Sequence, residues 1–237
     1  MNKVFTLARR ELTAYFFSPI AYIIGAGFLL LAAGWFFLNI RIGGEASLRP
    51  LFDGMAIIMV LAVPLLTMGL LSREFDSGTI ETLMTSPVTD AEVILGKFLG
   101  VMVFYLALLG TTLTFLGLMA AYGRPDAGVA FVGYLGMVLL GAAYVSVGLF
   151  ASTLTRHQVL SAVVAIAIIS LFVVVMGLIV RLGVRPWADL ADRLNAMRYF
   201  KDFSRGVLDT RGLLYFLSAT ALFLFLSVKT LESRRWR

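Results

Sequence analysis

The chain has 237 residues, of which 60% are hydrophobic, with only 20 basic and 14 acidic side chains. Soluble domains carry a charge on about a quarter of their residues, so an ordinary soluble domain is excluded, and a disordered chain is excluded by the high apolar content. The net charge of +6 suits phospholipid headgroups better than nucleic acid, and the absence of cysteine excludes disulfides and thiolate metal sites.

The first segment, residues 2–17, has the periodicity of an amphipathic helix. One face collects the apolar side chains Val4, Leu7, Ala8, Leu12, Tyr15 and Phe16. We expect this helix to lie in the headgroup layer with that face toward the hydrocarbon, and Ser18-Pro19 to end it. The alternative is a first membrane span that starts early.

Six uncharged stretches follow, each close to or above the roughly 20 apolar residues that cross a bilayer. The predicted spans are residues 20–40, 54–71, 98–122, 128–151, 159–180 and 212–228. Continuous apolar runs exclude a transmembrane barrel, whose strands alternate in polarity. Since there is no internal repeat or low-complexity linker, we expect one all-α polytopic membrane domain over residues 1–237, with a retained first span.

Several chemistries are missing from these spans. They contain no Asp, Glu, Lys or Arg, which argues against ion-coupled carriers and against intramembrane metalloproteases or aspartyl proteases. Gly96-Lys97 lacks the other residues of a phosphate-binding Walker motif. The chain is therefore predicted to be a passive pore, a structural anchor, or one subunit of a machine that is powered elsewhere.

Two polar segments are longer than simple connections. In residues 72–97 we predict a short helix that Pro87 ends, followed by a capping box of Thr89 and Glu92 that begins a second helix. Residues 181–211 mix seven basic and four acidic side chains with aromatic ones, which predicts amphipathic pieces on the membrane surface. Their aromatic residues are either interface anchors or a substrate surface.

Orientation does not follow from charge. Six spans place both termini on one side, and basic residues divide equally, ten and ten, between the two sides. The short loops and the termini favour cytoplasmic termini.

Residues 73–87, with their Arg-Glu…Gly-Thr…Glu…Pro pattern, and the Leu-Gly-Lys at 95–97 resemble the ABC type-2 permeases. The tail at 200–209, with Leu214-Tyr215-Phe216 and residues 232–236, is similar to the gliding-motility-type branch, which is related to the permease of nitrous-oxide-reductase maturation systems. Tyr199 departs from this pattern, where we expect a histidine.

The resemblance implies a six-span subunit that dimerises and binds two separate ATPase subunits, which hold ATP and magnesium, so that this chain has no cofactor of its own. It also implies that a short cytoplasmic helix couples the permease to the ATPase. The residues carried over to that role are Arg73, Glu74, Gly78, Thr79, Ile80, Glu81, Leu83 and Pro87. Glu74 and Glu81 are expected to pair with basic groups of the ATPase, and Ile80 and Leu83 to form an apolar knob. The alternative is a surface cap without a partner.

The far side is expected to carry a loop for substrate or for an auxiliary membrane subunit with a large extracytoplasmic domain. Its candidate residues are Trp187, Tyr199, Phe200, Asp202, Phe203 and Gly206. The resemblance implies a bacterial inner-membrane exporter with cytoplasmic termini. A non-transporting scaffold for a motility or secretion assembly is the main alternative, and an intramembrane enzyme is a weaker one.

Overall fold

The computed structural model describes residues 3–43, 48–79, 88–122, 126–183 and 186–235. Every regular element in these residues is helical, so the predicted all-α class is confirmed. The helices are α1 (Lys3–Phe16), α2 (Pro19–Gly43), α3 (Arg49–Thr67), α4 (Ser72–Asp76), α5 (Asp90–Thr111), α6 (Leu113–Tyr122), α7 (Ala127–Leu154), α8 (Gln158–Ser170), α9 (Met176–Leu182), α10 (Ala188–Leu194), α11 (Ala196–Ser204) and α12 (Thr210–Arg235); a π-helical turn, Leu171–Val175, joins α8 to α9.

Six helical stretches of the described chain are long and apolar enough to cross a membrane, which confirms the predicted number. They are Pro19–Asn39, Arg49–Asp76, Asp90–Ala121, Ala127–Leu154, Gln158–Leu182 and Thr210–Arg234. The third begins earlier than the predicted residue 98. The Thr89 hydroxyl accepts from the Glu92 amide and the Glu92 carboxylate accepts from the Thr89 amide, so the predicted capping box is confirmed and its helix runs on into the span. Lys97 therefore lies inside α5.

Helix α7 is central, because it packs against α3, α5, α8, α11 and α12. Glycines permit this close packing: Gly141 lies against the ring of Tyr105, and Gly148 lies against Thr67, with no room for a side chain at either position. The structure uses them within one chain, whereas an added Cβ at Gly27 would meet open space.

The spans differ in how far they are covered by the rest of the protein. In the most apolar part of the second span, 67% of the residues are buried, but in the fifth and sixth spans only 17% are. The fifth and sixth spans therefore offer most of their surface to whatever surrounds the bundle.

The two ends of the bundle are built from different residues. Along α7, Val129 and Leu154 are about 38 Å apart at 1.5 Å per residue. At the Leu154 end, which we call the charged end, lie α1, α4 and the last turn of α12. At the Val129 end, which we call the aromatic end, lie α10 and α11, with Gly206 against Val129. Both termini of the described chain are thus at the charged end.

Candidate functional site

A cluster of ionised side chains around a buried lysine joins three helices at the charged end. Lys97 of α5 is only 3% exposed, and its Nζ donates to Glu11 Oε1 of α1 and to Glu74 Oε1 of α4, each at 2.7 Å. We call these three residues the Lys97 cluster. A buried charge is tolerated only when it is paired, because losing water without compensation costs several kcal/mol, roughly, for each ion. The cluster therefore fixes the relative positions of the three helices.

Two glycines of α5 explain how α1 comes close enough. Gly96 and Gly100 are four residues apart and so lie on one face of the helix. An added Cβ would lie 2.6 Å from the Cβ of Leu7 at Gly96, and 2.7 Å from the Cβ of Glu11 at Gly100. Because no side chain separates the backbones here, Glu11 reaches Lys97 across the contact.

Helix α1 uses its apolar face differently from our expectation. Leu7 and Tyr15 pack against the protein core. The apolar face that we expected to contact the hydrocarbon therefore contacts the rest of the protein. The reason is the close approach to α5. The aromatic side chains that α1 and the residue after it leave exposed are Phe5, Phe16 and Phe17.

Tyr15 ties α1 to the end of α3. Its hydroxyl donates to the Leu66 carbonyl at 2.7 Å, and that carbonyl belongs to the last turn of α3, where the helix itself supplies no donor. Burial, and then the Glu11 carboxylate, raise the pKa of Tyr15, so the phenol stays neutral and keeps donating. Glu11, Tyr15 and Arg73 line a cavity of about 70 Å³ beside this bond.

Helix α4 is fastened to α7 through one hydroxyl. Ser152 Oγ accepts from the amides of Leu71 and Ser72 at 2.8 and 3.0 Å, and it donates to the Met68 carbonyl at 3.3 Å. These amides and this carbonyl flank the turn between α3 and α4. A single buried serine therefore satisfies backbone groups that the turn leaves open.

Helix α4 also contacts the carboxyl-terminal part of the chain. The Arg234 guanidinium donates to the Leu154 carbonyl at 2.6 Å and lies 4.6 Å from the centre of the Phe75 ring. His157 Nδ1 is 3.8 Å from Asp76 Oδ1, and both side chains are well exposed. A movement of α4 would therefore disturb contacts with α5, α7 and α12 as well as with α1.

The role expected for Glu74 needs correction. The sequence assigned Glu74 to a basic group on another subunit, but the structure pairs it with Lys97 in the same chain. Its second oxygen, Oε2, is buried and has no hydrogen-bond partner in the described part of the chain. Lys97 was missed because we assigned residues 72–97 to a polar segment outside the packed spans, although the capping box predicted a helix there. The capping box and the Gly96–Gly100 spacing were the signals that put it inside a packed helix.

The remaining coupling residues divide into two groups. Arg73 is exposed in α4, Gly78 has the left-handed φ of 71° that a tight turn after α4 requires, and Thr79 Oγ1 lies 2.8 Å from Ser77 Oγ. Outside the described residues lie Ile80, Glu81, Leu83 and Pro87, and their coupling role stays a prediction. They follow directly on the segment that the Lys97 cluster holds.

At the aromatic end, Phe200 and Phe203 are fully buried in the core. Gly136 and Gly212 leave room for the Phe203 side chain, since a Cβ added at Gly212 would lie 2.6 Å from its ring. This part of α11 therefore does not lie flat on a membrane surface, as the sequence suggested. Its two phenylalanines anchor the segment between α7 and α12 instead of facing a substrate.

Tyr199 contacts its own chain. Its ring stacks on Tyr215 with centroids 4.6 Å apart, and its hydroxyl donates to the Arg193 carbonyl at 3.2 Å. Tyr215 donates to the Leu194 carbonyl at 2.7 Å, so two tyrosines satisfy the last carbonyls of α10. At the position where the resemblance leads us to expect histidine, tyrosine thus has a structural role.

The other candidate residues at the aromatic end lie before α10 and at the end of α11. Trp187 is 60% exposed at the start of α10. The Asp202 carbonyl accepts from the Val207 amide at 2.9 Å, and Gly206 takes a left-handed φ of 82° to make that turn. Trp187 is thus the aromatic candidate that is most open to another molecule.

Comparison with known proteins agrees with this architecture. Residues 9–231 match the family described as "ABC-2 family transporter protein". Similar relatives are the proteins named "Probable multidrug ABC transporter permease YbhR" from Escherichia coli strain K12 and from Escherichia coli O157:H7, each 29% identical over 161 residues. The matched region is 64% of this chain and 41% of each relative, so the chain spans about two fifths of their length. Because the family match extends over nearly all six spans, the chain belongs to the ABC-2 family and is a multi-pass transporter permease subunit.

Proposed function

We propose that two copies of this permease form the pathway of an ATP-driven exporter, and that the segment beginning with α4 docks on separate ATPase subunits. The observation that carries this proposal is the Lys97 cluster. It joins the start of the coupling segment, through Glu74, to α1 and to a membrane span. The family of transporter permeases supplies the context, since such a permease needs an ATPase that this chain does not contain.

The physics of the cluster makes it suitable for transmission. Buried ion pairs lose most of their benefit when a partner is displaced, because neither ion regains water. A shift of α4 is therefore resisted unless Lys97 and Glu11 follow it. The hydrogen bonds of Ser152 add α7 to the moving group. ATPase movement at α4 would reach the spans as the motion of a connected unit.

The proposal includes an orientation in the bacterial inner membrane, with the charged end and both termini in the cytoplasm. The chain has no cysteine, so single cysteines report on accessibility without background. A cysteine at Ser86 should resist an impermeant thiol reagent in intact cells, and one at Asp192 should react. The opposite labelling pattern would show that the proposed orientation in the membrane is wrong.

We further propose membership of the gliding-motility-type branch, supported by the tail at 200–209. The aromatic end would then face the periplasm and bind substrate or an auxiliary subunit there. Trp187 and Leu190 are among the exposed apolar side chains at this end that favour such a contact. The relatives are named as probable multidrug permeases, which supports export and suggests apolar organic compounds as cargo.

The coupling role is tested by two substitutions in the loop. Glu81→Lys and Leu83→Asp should reach the membrane at normal abundance, because we expect both positions to be solvated and changes at solvated positions alter folding by only about 0.5 kcal/mol. Both should lose ATPase co-purification, since like charges or a charged group at an apolar contact cost several kcal/mol, roughly, at an interface. Glu232→Lys is the control, because it reverses an exposed charge at the same end. Retention of the ATPase by both loop variants would remove the proposed docking site.

Assembly is tested separately. Native mass spectrometry of the complex purified in mild detergent should show two permease copies and two ATPase subunits. A stable permease that carries no ATPase when fully functional would instead support the scaffold alternative.

A further inference from the structure

A groove of about 550 Å³ lies between α7, α8 and α12 and reaches the aromatic end. Along α12 it extends from Tyr215 to Phe223, about 12 Å at the helical rise per residue. Its walls are almost entirely apolar, with Val147, Ile169 and Leu222 among the side chains that form them. Ligand sites in proteins usually have volumes of about 300–1,000 Å³, so this groove is large enough for a small organic molecule or one lipid chain.

Few polar groups meet this apolar wall. Arg193 lies at the aromatic end of the groove, and no carboxylate in the described part of the chain pairs with its guanidinium. Arg198, in the next helix, does pair, with Asp192. Tyr144 lines the groove too, and its buried hydroxyl has no hydrogen-bond partner within the described ranges. An unpaired guanidinium beside an apolar channel fits a ligand with an anionic group at one end and a hydrocarbon chain at the other.

The groove is open to the surroundings of the bundle. It is bounded by the fifth and sixth spans, which are among the least buried in the described chain. A lipid chain can therefore enter sideways, without passing through the protein core.

We infer that this groove binds one anionic phospholipid of the surrounding bilayer, with its phosphate on Arg193 and one acyl chain along α12 toward Phe223. The phosphate would give the guanidinium a bidentate partner. The chain would fill an apolar space that is otherwise left between α8 and α12. The site is independent of the proposed ATPase coupling, because none of its residues belongs to the charged end.

The test uses the full chain in lipid nanodiscs that contain a phosphatidylglycerol with a photoactivatable acyl chain. After illumination, peptide mass spectrometry should place cross-links in residues 143–147, 169–172 and 215–223. Unlabelled phosphatidylglycerol should compete, and phosphatidylcholine should compete at least about tenfold less well. Both headgroups carry a phosphate, but the choline cation of phosphatidylcholine cancels the net negative charge and repels the Arg193 guanidinium. Equal competition by both lipids, or cross-links scattered over all spans, would overturn the inference.

Two variants and one control sharpen the result. Arg193→Gln should reduce groove cross-linking at least about tenfold. Leu222→Trp should reduce it by filling the groove, and its native side chain is exposed, so the fold should accept the larger one. Arg198→Gln should leave cross-linking unchanged, because that guanidinium already has Asp192. Unchanged labelling in Arg193→Gln would contradict the assignment even if Leu222→Trp failed to fold.

The same probe distinguishes a resident lipid from cargo or from a protein contact. With the ATPase complex assembled, cross-linking should stay constant during ATP hydrolysis. A loss of labelling that depends on hydrolysis would show that the lipid is transported, and permease-to-permease cross-links at the groove would show that a second copy covers it. Either result would overturn a resident lipid without bearing on ATPase docking at the charged end.

Discussion

The charged end and the aromatic end meet the same requirement with different chemistry. Where helices stop, their last carbonyls need donors. At the charged end these come from Tyr15 and Arg234, and charged groups are drawn into the protein around Lys97. At the aromatic end they come from Tyr199 and Tyr215, and the packing is done by buried phenylalanines.

The two ends therefore respond differently when a helix is displaced. Ionised groups with little access to water depend steeply on distance and partner, so displacement of one helix is costly unless its neighbours move too. Aromatic packing is weaker per contact and does not depend on a single atom pair. The charged end is therefore suited to transmit movement, and the aromatic end to hold α10 and α11 in place.

Removal of the Lys97 cation should destabilise the charged end more than any other change considered below. Lys97→Met leaves the carboxylates of Glu11 and Glu74 together without their cation, and removal of one partner from a buried ion pair costs about 3–5 kcal/mol. The melting temperature of the purified permease should fall clearly, whereas Lys229→Met, at an exposed ion pair, should leave it nearly unchanged.

A triple variant tests the reason for that loss. Adding Glu11→Gln and Glu74→Gln to Lys97→Met removes the stranded charges and should recover much of the stability. No recovery would mean that Lys97 contributes by packing alone.

The next largest loss of stability is expected from a change at the aromatic end. Phe203→Ala opens a cavity between α7 and α12 and should cost about 3 kcal/mol, the low end for a buried phenylalanine, because lipid reduces the transfer part of the cost. Phe131→Ala removes an exposed ring and should be nearly neutral. Thermal unfolding measures both, and ATPase co-purification should survive in each. If Phe203→Ala released the ATPase, the separation of roles between the ends would be lost.

A smaller effect concerns α7, which connects the ends. Gly148→Ala places a methyl group against Thr67 and should destabilise the chain by about 2 kcal/mol through overpacking. Gly27→Ala meets open space within the chain, so it should leave monomer stability unchanged. If Gly27→Ala weakens only the association of two copies, measured by native mass spectrometry, then α2 contributes to the dimer.

The smallest loss of stability is expected from the removal of one hydroxyl at the aromatic end. Tyr199→Phe keeps the stack on Tyr215 and loses only the hydrogen bond to the Arg193 carbonyl, which should cost about 1 kcal/mol. Thermal unfolding should resolve this, and transport should persist. Abolished transport with normal stability would give Tyr199 a functional role beyond holding α10.

Short-range sequence patterns predicted part of the fold. Apolar run length predicted six spans, and the Thr89–Glu92 spacing predicted the start of α5. Such patterns could not predict the ion pair between Lys97 and Glu11, because the two residues are 86 positions apart in the chain. The burial of Phe203 was missed for another reason. A face that contacts lipid and a face that contacts protein are equally apolar, so composition does not distinguish them.

We propose that the Lys97 cluster carries ATPase movement into the spans, and the distance between two copies tests this directly. A spin label at Val207→Cys in each copy reports the distance between copies at the aromatic end, by pulsed electron paramagnetic resonance, before and after vanadate trapping of the complex. We predict a shift in the native background and in Asp76→Asn, whose exposed carboxylate lies outside the cluster. We predict little or no shift in Glu74→Gln, with ATP hydrolysis retained. A full shift in Glu74→Gln would contradict the claim.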